Sequence, residues 1–166
     1  MPERQKKLEV FPARRQEDAG PALNRLLAVA ANAQPARLVA RATERKSSGA
    51  QAYLYQFTRV PATALGRRFG AHHGVDLAYV FGNTKEADGY DEADRRLSTE
   101  VMAYWVNFAR TGNPNGRGLP AWPAYRRRTD LNMELSDTVR TSRELFRKEC
   151  DFVGRESIFR RRGTSG

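Results

Sequence analysis

An α/β architecture, with helices packed on the closing strands of a sheet, is the fold class this sequence predicts. Three observations carry it. In residues 51–60, Tyr53, Tyr55 and Phe57 alternate with Leu54, Gln56 and Thr58, so one side is aromatic and the other mostly small or apolar. Two such sides fit an interior strand of a helix-covered parallel sheet, because a hairpin would show one polar side. Leu97, Val101, Trp105 and Phe108 recur at i, i+4, i+8 and i+11, the buried stripe of a long helix. Apolar residues at helical spacing between 20 and 47 add helices ahead of the strand.

In chain order, residues 1–15 are charged around a short apolar patch at 8–11 and read as an extended lead-in. Gly20-Pro21 opens a helix in which Leu23, Leu26, Leu27 and Ala30 share a face, proline being suited to a first turn. Pro35 opens a second helix with Leu38, Val39 and Ala42 inward, ending near Ser47-Ser48-Gly49. Pro61 closes the strand. Residues 62–70 read as a short basic loop, 76–81 as a single helical turn and 82–89 as a polar loop. The long helix runs from about 92 to 110, stopped by Gly112 and Pro114, with Trp105 as a core anchor. Trp122-Pro123-Ala124-Tyr125 packs a surface loop down. Met133-Glu134-Leu135 reads as a short last strand, 143–153 as a closing helix and 155–166 as a basic, mobile tail.

A chain of 166 residues, 40% of them hydrophobic, is long and apolar enough to bury a core and is not a disordered polyampholyte. No apolar run approaches the ~20 residues that cross a bilayer, and the first 25 residues carry no signal-peptide hydrophobic region. Cys150 stands alone, so it forms no internal disulfide, and it reads as a quiet thiol on a helix. The net charge of +10 raises the question of nucleic acid. Its arginines are spread along the chain in small clusters such as Arg126-Arg127-Arg128, without a recognition helix, zinc-finger spacing or RNA-binding aromatic motif. An arginine-rich, solvent-facing surface explains them more simply.

Both histidines lie in Phe69-Gly70-Ala71-His72-His73-Gly74-Val75-Asp76-Leu77, followed by Ala78-Tyr79-Val80-Phe81-Gly82-Asn83. Flanking glycines let the backbone turn tightly and present an imidazole at a loop edge. Adjacent histidines without a third or fourth ligand nearby make a poor zinc site. Taken alone, such a histidine is structural more often than catalytic.

This segment resembles the catalytic-histidine motif of type B carboxylesterases, the cholinesterase-like branch of the α/β-hydrolases. That motif reads Gly-x-x-His-Gly-x-Glu/Asp-Leu, followed by Tyr/Phe-Val-Phe-Gly. Downstream, Tyr104-Trp105-Val106-Asn107-Phe108-Ala109-Arg110-Thr111-Gly112-Asn113-Pro114-Asn115 and Leu119-Pro120-Ala121-Trp122-Pro123-Ala124-Tyr125 resemble the family's next signatures. Upstream, Ala52-Tyr53-Leu54-Tyr55-Gln56-Phe57 is similar to the strand that delivers the histidine loop. The likeness runs from about residue 8 to 150.

The resemblance implies an α/β-hydrolase fold with His73 as general base, needing no cofactor and no metal. It gives Asp76 a buried supporting role, against the simpler reading that Asp76 caps the helix after the loop. Val75, flanked by Gly74 and Asp76, is expected to line the acyl or alcohol pocket and to suit modest uncharged esters. Such an esterase also needs a serine on a Gly-x-Ser-x-Gly elbow, an oxyanion hole and an orienting acid, in the order serine, acid, histidine. Neither Gly-x-Ser-x-Gly nor a His-Gly-Gly-Gly run occurs in this chain, and the family's acid lies further upstream than the 72 residues preceding His73. The expectation is therefore a C-terminal segment, 1–154, incomplete as a domain and inactive alone, followed by a basic flexible tail, 155–166. Its expected partners are a missing N-terminal esterase portion and a small ester, with no membrane partner and nucleic acid disfavoured. With its sheet unpaired, the isolated chain is expected to aggregate or order only in part. Two other classes stand beside this reading: a non-catalytic cholinesterase-like interaction protein and a basic nucleic-acid-binding module.

Overall fold

Residues 131–135, apolar at Leu131, Met133 and Leu135, form the middle strand of a three-stranded sheet. The computed structural model of the protein describes residues 8–45 and 49–162, with 156–162 as backbone only. They fall into two compact units, one built from 43–145 and the other from the described parts of 1–42 and 146–166.

In the first unit β1 (Tyr55–Phe57) runs parallel to β2 (Leu131–Leu135), with Tyr55 opposite Met133 and Phe57 opposite Leu135. β2 pairs antiparallel with β3 (Arg140–Arg143), Leu131 opposite Arg143. Backbone hydrogen bonds continue beyond β1, from Met133 N–H to Leu54 C=O at 2.8 Å and from Thr58 N–H to Leu135 C=O at 2.9 Å. The ten-residue interior strand expected from the sequence is thus three ladder residues at a sheet edge. Having a neighbour on one side only among the described residues, all three are half-buried rather than buried. β3 was not anticipated, because Arg140-Thr141-Ser142-Arg143 is a polar outer strand with no apolar alternation. It takes up Arg143, where the sequence reading began the last helix.

Three α-helices lie in the connections of this sheet. The first two in this unit, α3 (Ala64–Phe69) and α4 (Asp76–Val80), are short, and α5 (Glu92–Thr111) is long. The basic stretch 62–70 is therefore helical, not a loop: Thr63 Oγ1 caps α3 by accepting from Gly66 N–H at 3.0 Å. α5 carries a reciprocal cap in which Asp91 accepts from Asp94 N–H at 2.9 Å and Asp94 accepts from Asp91 N–H at 2.8 Å. Gly112, at φ +73°, ends it in the left-handed conformation. Its buried stripe is Asp94, Leu97, Ser98, Val101 and Tyr104. Trp105 and Phe108, expected in that stripe, sit one residue round the helix; Trp105 is half-buried and Phe108 is 47% exposed. They wall an aromatic hollow of about 190 Å³ with Tyr53, Tyr55 and Trp122.

The core of this unit joins Tyr79, Leu97, Val101, Tyr104 and Trp122 to Met133 and Leu135 of the sheet. Trp122 does more than hold a surface loop. It is 4% exposed, donates its indole N–H to Leu54 C=O at 3.2 Å and meets Tyr104 edge-on at 5.2 Å.

In the second unit, α1 (Ala19–Ala28) continues through a π-helical turn (Val29–Ala33) into α2 (Gln34–Arg45), so two separate helices are replaced by one. Pro35 has no N–H and its ring crowds the carbonyl four residues back. The wider turn, in which Gln34 N–H reaches Val29 C=O, accommodates it without a break. The extra residue rotates the following face by about 100°. Leu38, Val39 and Ala42 therefore point to solvent, while Arg37 and Ala40 are buried. Leu23 and Leu27 are exposed too; the inward face is Leu26, Val29 and Ala33, packed with Phe11, Cys150 and Phe152. Residues 8–10 are helical rather than extended, and Phe11 meets Phe152 edge-on at 6.2 Å. The last helix, α6 (Arg147–Arg162), starts four residues later than expected and runs on past Val153. Backbone helix therefore covers 155–162 of the expected tail, and 163–166 lie outside the described residues. Burial pushes the Cys150 thiol up to about 11, which keeps it protonated and unreactive at neutral pH.

Candidate active site

Between α3 and α4 the chain makes a glycine-framed turn that carries His73. Gly70 (φ +66°) ends α3, and His72 N–H folds back to Gly70 C=O at 2.9 Å. Val75 N–H then reaches His72 C=O at 3.2 Å, closing a four-residue turn. Gly74 occupies its third position at φ +83°, where a side chain would be strained. His73, second in that turn, is exposed, and among the described residues its ring has no hydrogen-bond partner. The ring is thus presented outward, free to exchange a proton with a group supplied from outside. His72 instead turns Nδ1 to Gly70 C=O at 3.2 Å and stacks edge-on against Phe69.

Val75 is 7% exposed, so it offers little surface to a ligand. Asp76 is half-buried and opens α4 without capping it; its carboxylate accepts the Tyr55 hydroxyl at 2.7 Å. Tyr55, on β1, is itself gripped edge-on by Trp105 at 5.2 Å and Trp122 at 5.9 Å. The other end of α4 is tied as well. Tyr79 is fully buried and donates to Asp94 at 2.6 Å, while Ser98 Oγ donates to Tyr79 C=O at 2.9 Å. Asp94, also fully buried, receives Arg59 Nε at 2.7 Å, and the same guanidinium reaches Asp91 and Asp137.

Sequence reasoning placed His73, Gly74, Val75 and Asp76 together but missed Tyr55, Tyr79, Arg59 and Asp94, the groups that fix this segment from behind. Tyr55 read as one of the strand's aromatic row, and Tyr79 only as part of the motif that follows the histidines. One signal was available: Arg59 is a lone cation at the end of an apolar strand, a position that calls for buried carboxylates.

Three phenols, Tyr79 and Tyr104 buried and Tyr55 half-buried, make this unit sensitive to alkali. Burial first, then their carboxylate partners Asp76 and Asp94, raises Tyr55 and Tyr79 well above the ordinary 10.0. Burial, with Glu100 nearby, pushes Tyr104 up to about 12. An unfolded chain releases these protons near pH 10, so above that the folded state holds more protons and its stability falls with rising pH. Stability should be flat in this respect below about pH 10 and decline through pH 12. A spectrophotometric titration checks it: all tyrosines ionising near pH 10 with circular dichroism intact would refute the buried hydrogen bonds.

Comparison with known proteins decides the family. A profile described as the carboxylesterase family matches residues 4–153, nearly the whole chain. The chain belongs to the carboxylesterase family. Among carboxylesterases it is 36% identical over 121 residues to liver carboxylesterase 1F of Rattus norvegicus, covering 71% of this chain and 21% of that protein. It is 35% identical over 117 residues to a protein of Anas platyrhynchos named fatty acyl-CoA hydrolase precursor, medium chain, covering 67% and 20%. The chain therefore spans about a fifth of the length of these curated relatives. In fold it is similar to a solved PNB esterase, with a TM-score of 0.51 and 24% identity over 61% of this chain and 21% of that one. The three-stranded sheet and its helices are a portion of an α/β-hydrolase fold, as the sequence implied.

Proposed function

We propose that this chain is the histidine-bearing C-terminal portion of a serine carboxylesterase and that His73 is its general base. The observation that supports the reading most is the exposed, unpartnered imidazole on a turn framed by Gly70 and Gly74. In the reaction, a free ring nitrogen of His73 takes the proton from a serine hydroxyl as its oxygen attacks the ester carbonyl. The imidazolium returns that proton to the leaving alcohol. A water molecule, deprotonated the same way, then releases the acid and restores the serine. The serine, the oxyanion-hole donors and the acid that orients the ring come from the N-terminal portion. The substrate class is small carboxylic esters.

The test grafts this chain onto the rest of a relative, replacing the matching segment of the rat liver carboxylesterase 1F. The chimera is expected to hydrolyse p-nitrophenyl acetate, and the chain alone is expected to show no turnover above buffer. A chimera that melts cooperatively yet hydrolyses nothing would overturn the proposal, as would rapid turnover by the chain alone.

A further inference from the structure

We infer that Tyr55 is a positioning residue for His73: its hydroxyl, bonded to Asp76 across 21 residues of sequence, moors the start of α4 to β1 and so sets where the turn holds the imidazole. This rests on the reading of His73 as general base.

The turn's own backbone hydrogen bonds are local, from His72 to Gly70, Val75 to His72 and Leu77 to Gly74. Such bonds fix the turn's shape but not its place relative to the sheet. Gly70 and Gly74, both at positive φ, adopt backbone conformations that a side chain would disfavour and add no side-chain contact of their own to hold the turn. Beside the packing of the buried Val75, a long-range anchor therefore sets the location, and Asp76 lies only three residues beyond His73. The anchor is rigid at its source. The Tyr55 ring packs edge-on against Trp105 and Trp122, and its hydroxyl meets the carboxylate at 2.7 Å, a charge-assisted distance. At the far end of α4, Tyr79 is bound to Asp94, which Arg59 holds. Tyr55 and Arg59 both belong to the β1 segment, so the short helix is fastened to one strand at its two ends. A base displaced by 1 Å can cost about a hundredfold in rate, which makes the mooring worth testing apart from packing.

Tyr55→Phe separates the two roles, because it keeps the ring and removes only the hydroxyl. In the chimera, kcat for p-nitrophenyl acetate is expected to fall by about ten- to a hundredfold, with KM and the thermal midpoint little changed. Asp76→Asn should show the same loss and the double variant no greater one, since both break one bond. Asp76→Glu, which keeps the carboxylate, should recover most of the rate. A Tyr55→Phe chimera with the parental kcat, alongside one silenced by His73→Ala, would overturn the positioning role and leave the esterase reading standing. If His73→Ala itself leaves hydrolysis intact, the reading of His73 as general base fails first. Should Tyr55→Phe fail to fold, Asp76→Asn against Asp76→Glu decides: equal rates for the two would also overturn the proposal.

Discussion

Replacing His73 by alanine in the chimeric esterase is expected to lower kcat by about four to six orders of magnitude, with KM nearly unchanged. The reasoning is one of proton flow. A serine hydroxyl is a poor nucleophile until a neighbouring base takes its proton, and the same group must return it to the leaving alcohol. In this chain only two imidazoles exist, and one of them is committed. His72 faces back to Gly70 C=O and lies against the Phe69 ring, so it cannot stand in without rebuilding the turn. His72→Ala should therefore act far more mildly than His73→Ala. Steady-state kinetics on p-nitrophenyl acetate reads both. Residual turnover within about tenfold of the parent for His73→Ala would assign the base to another group.

The largest effect on stability is expected at Arg59. Arg59→Ala strands the carboxylate of Asp94, fully buried, with the Tyr79 hydroxyl as its one remaining side-chain donor. Breaking a buried pair from one side costs about 3–5 kcal/mol, because the surviving charge has lost both water and its partner. The Arg59 side chain is only 12% exposed, so screening by salt is weak and the loss should persist at high ionic strength. Three segments come apart together, since the same guanidinium also holds Asp91 at the start of α5 and Asp137 in the β2–β3 turn. Asp137 is 68% exposed and Asp91 51%, so their pairings alone are worth little. Asp137→Ala should thus cost less than about 1 kcal/mol. Urea denaturation of the chimera distinguishes the two variants. An Arg59→Ala midpoint as close to the parent as that of Asp137→Ala would show that Asp94 finds other compensation.

Where a residue's neighbours in space are its neighbours in sequence, the reading succeeded. The helix at 92–111 was legible from its apolar period and its Gly112 stop, and the single turn expected at 76–81 is the helix at 76–80. The fold class and family followed from the motifs around His73, Trp105 and Trp122. What failed depended on geometry that period alone does not encode. Pro35 looked like a helix start because a π turn, which absorbs a proline without a break, leaves no mark in composition. That one added residue also turned Leu38 and Val39 outward. β3 was missed because an outer strand needs no apolar face. At the site, the residues of the turn were named from sequence, whereas Tyr55 and Arg59 act through contacts 21 and 35 residues away, to Asp76 and Asp94.

Cys150 is the single thiol of the chain and is fully buried. This chain therefore comes with a silent background for thiol-directed spin or fluorescent labels. A cysteine placed at Phe81, 71% exposed just past α4, would carry a lone reporter near the turn that holds His73. Motions of that turn could then be followed spectroscopically without first removing a native sulfur.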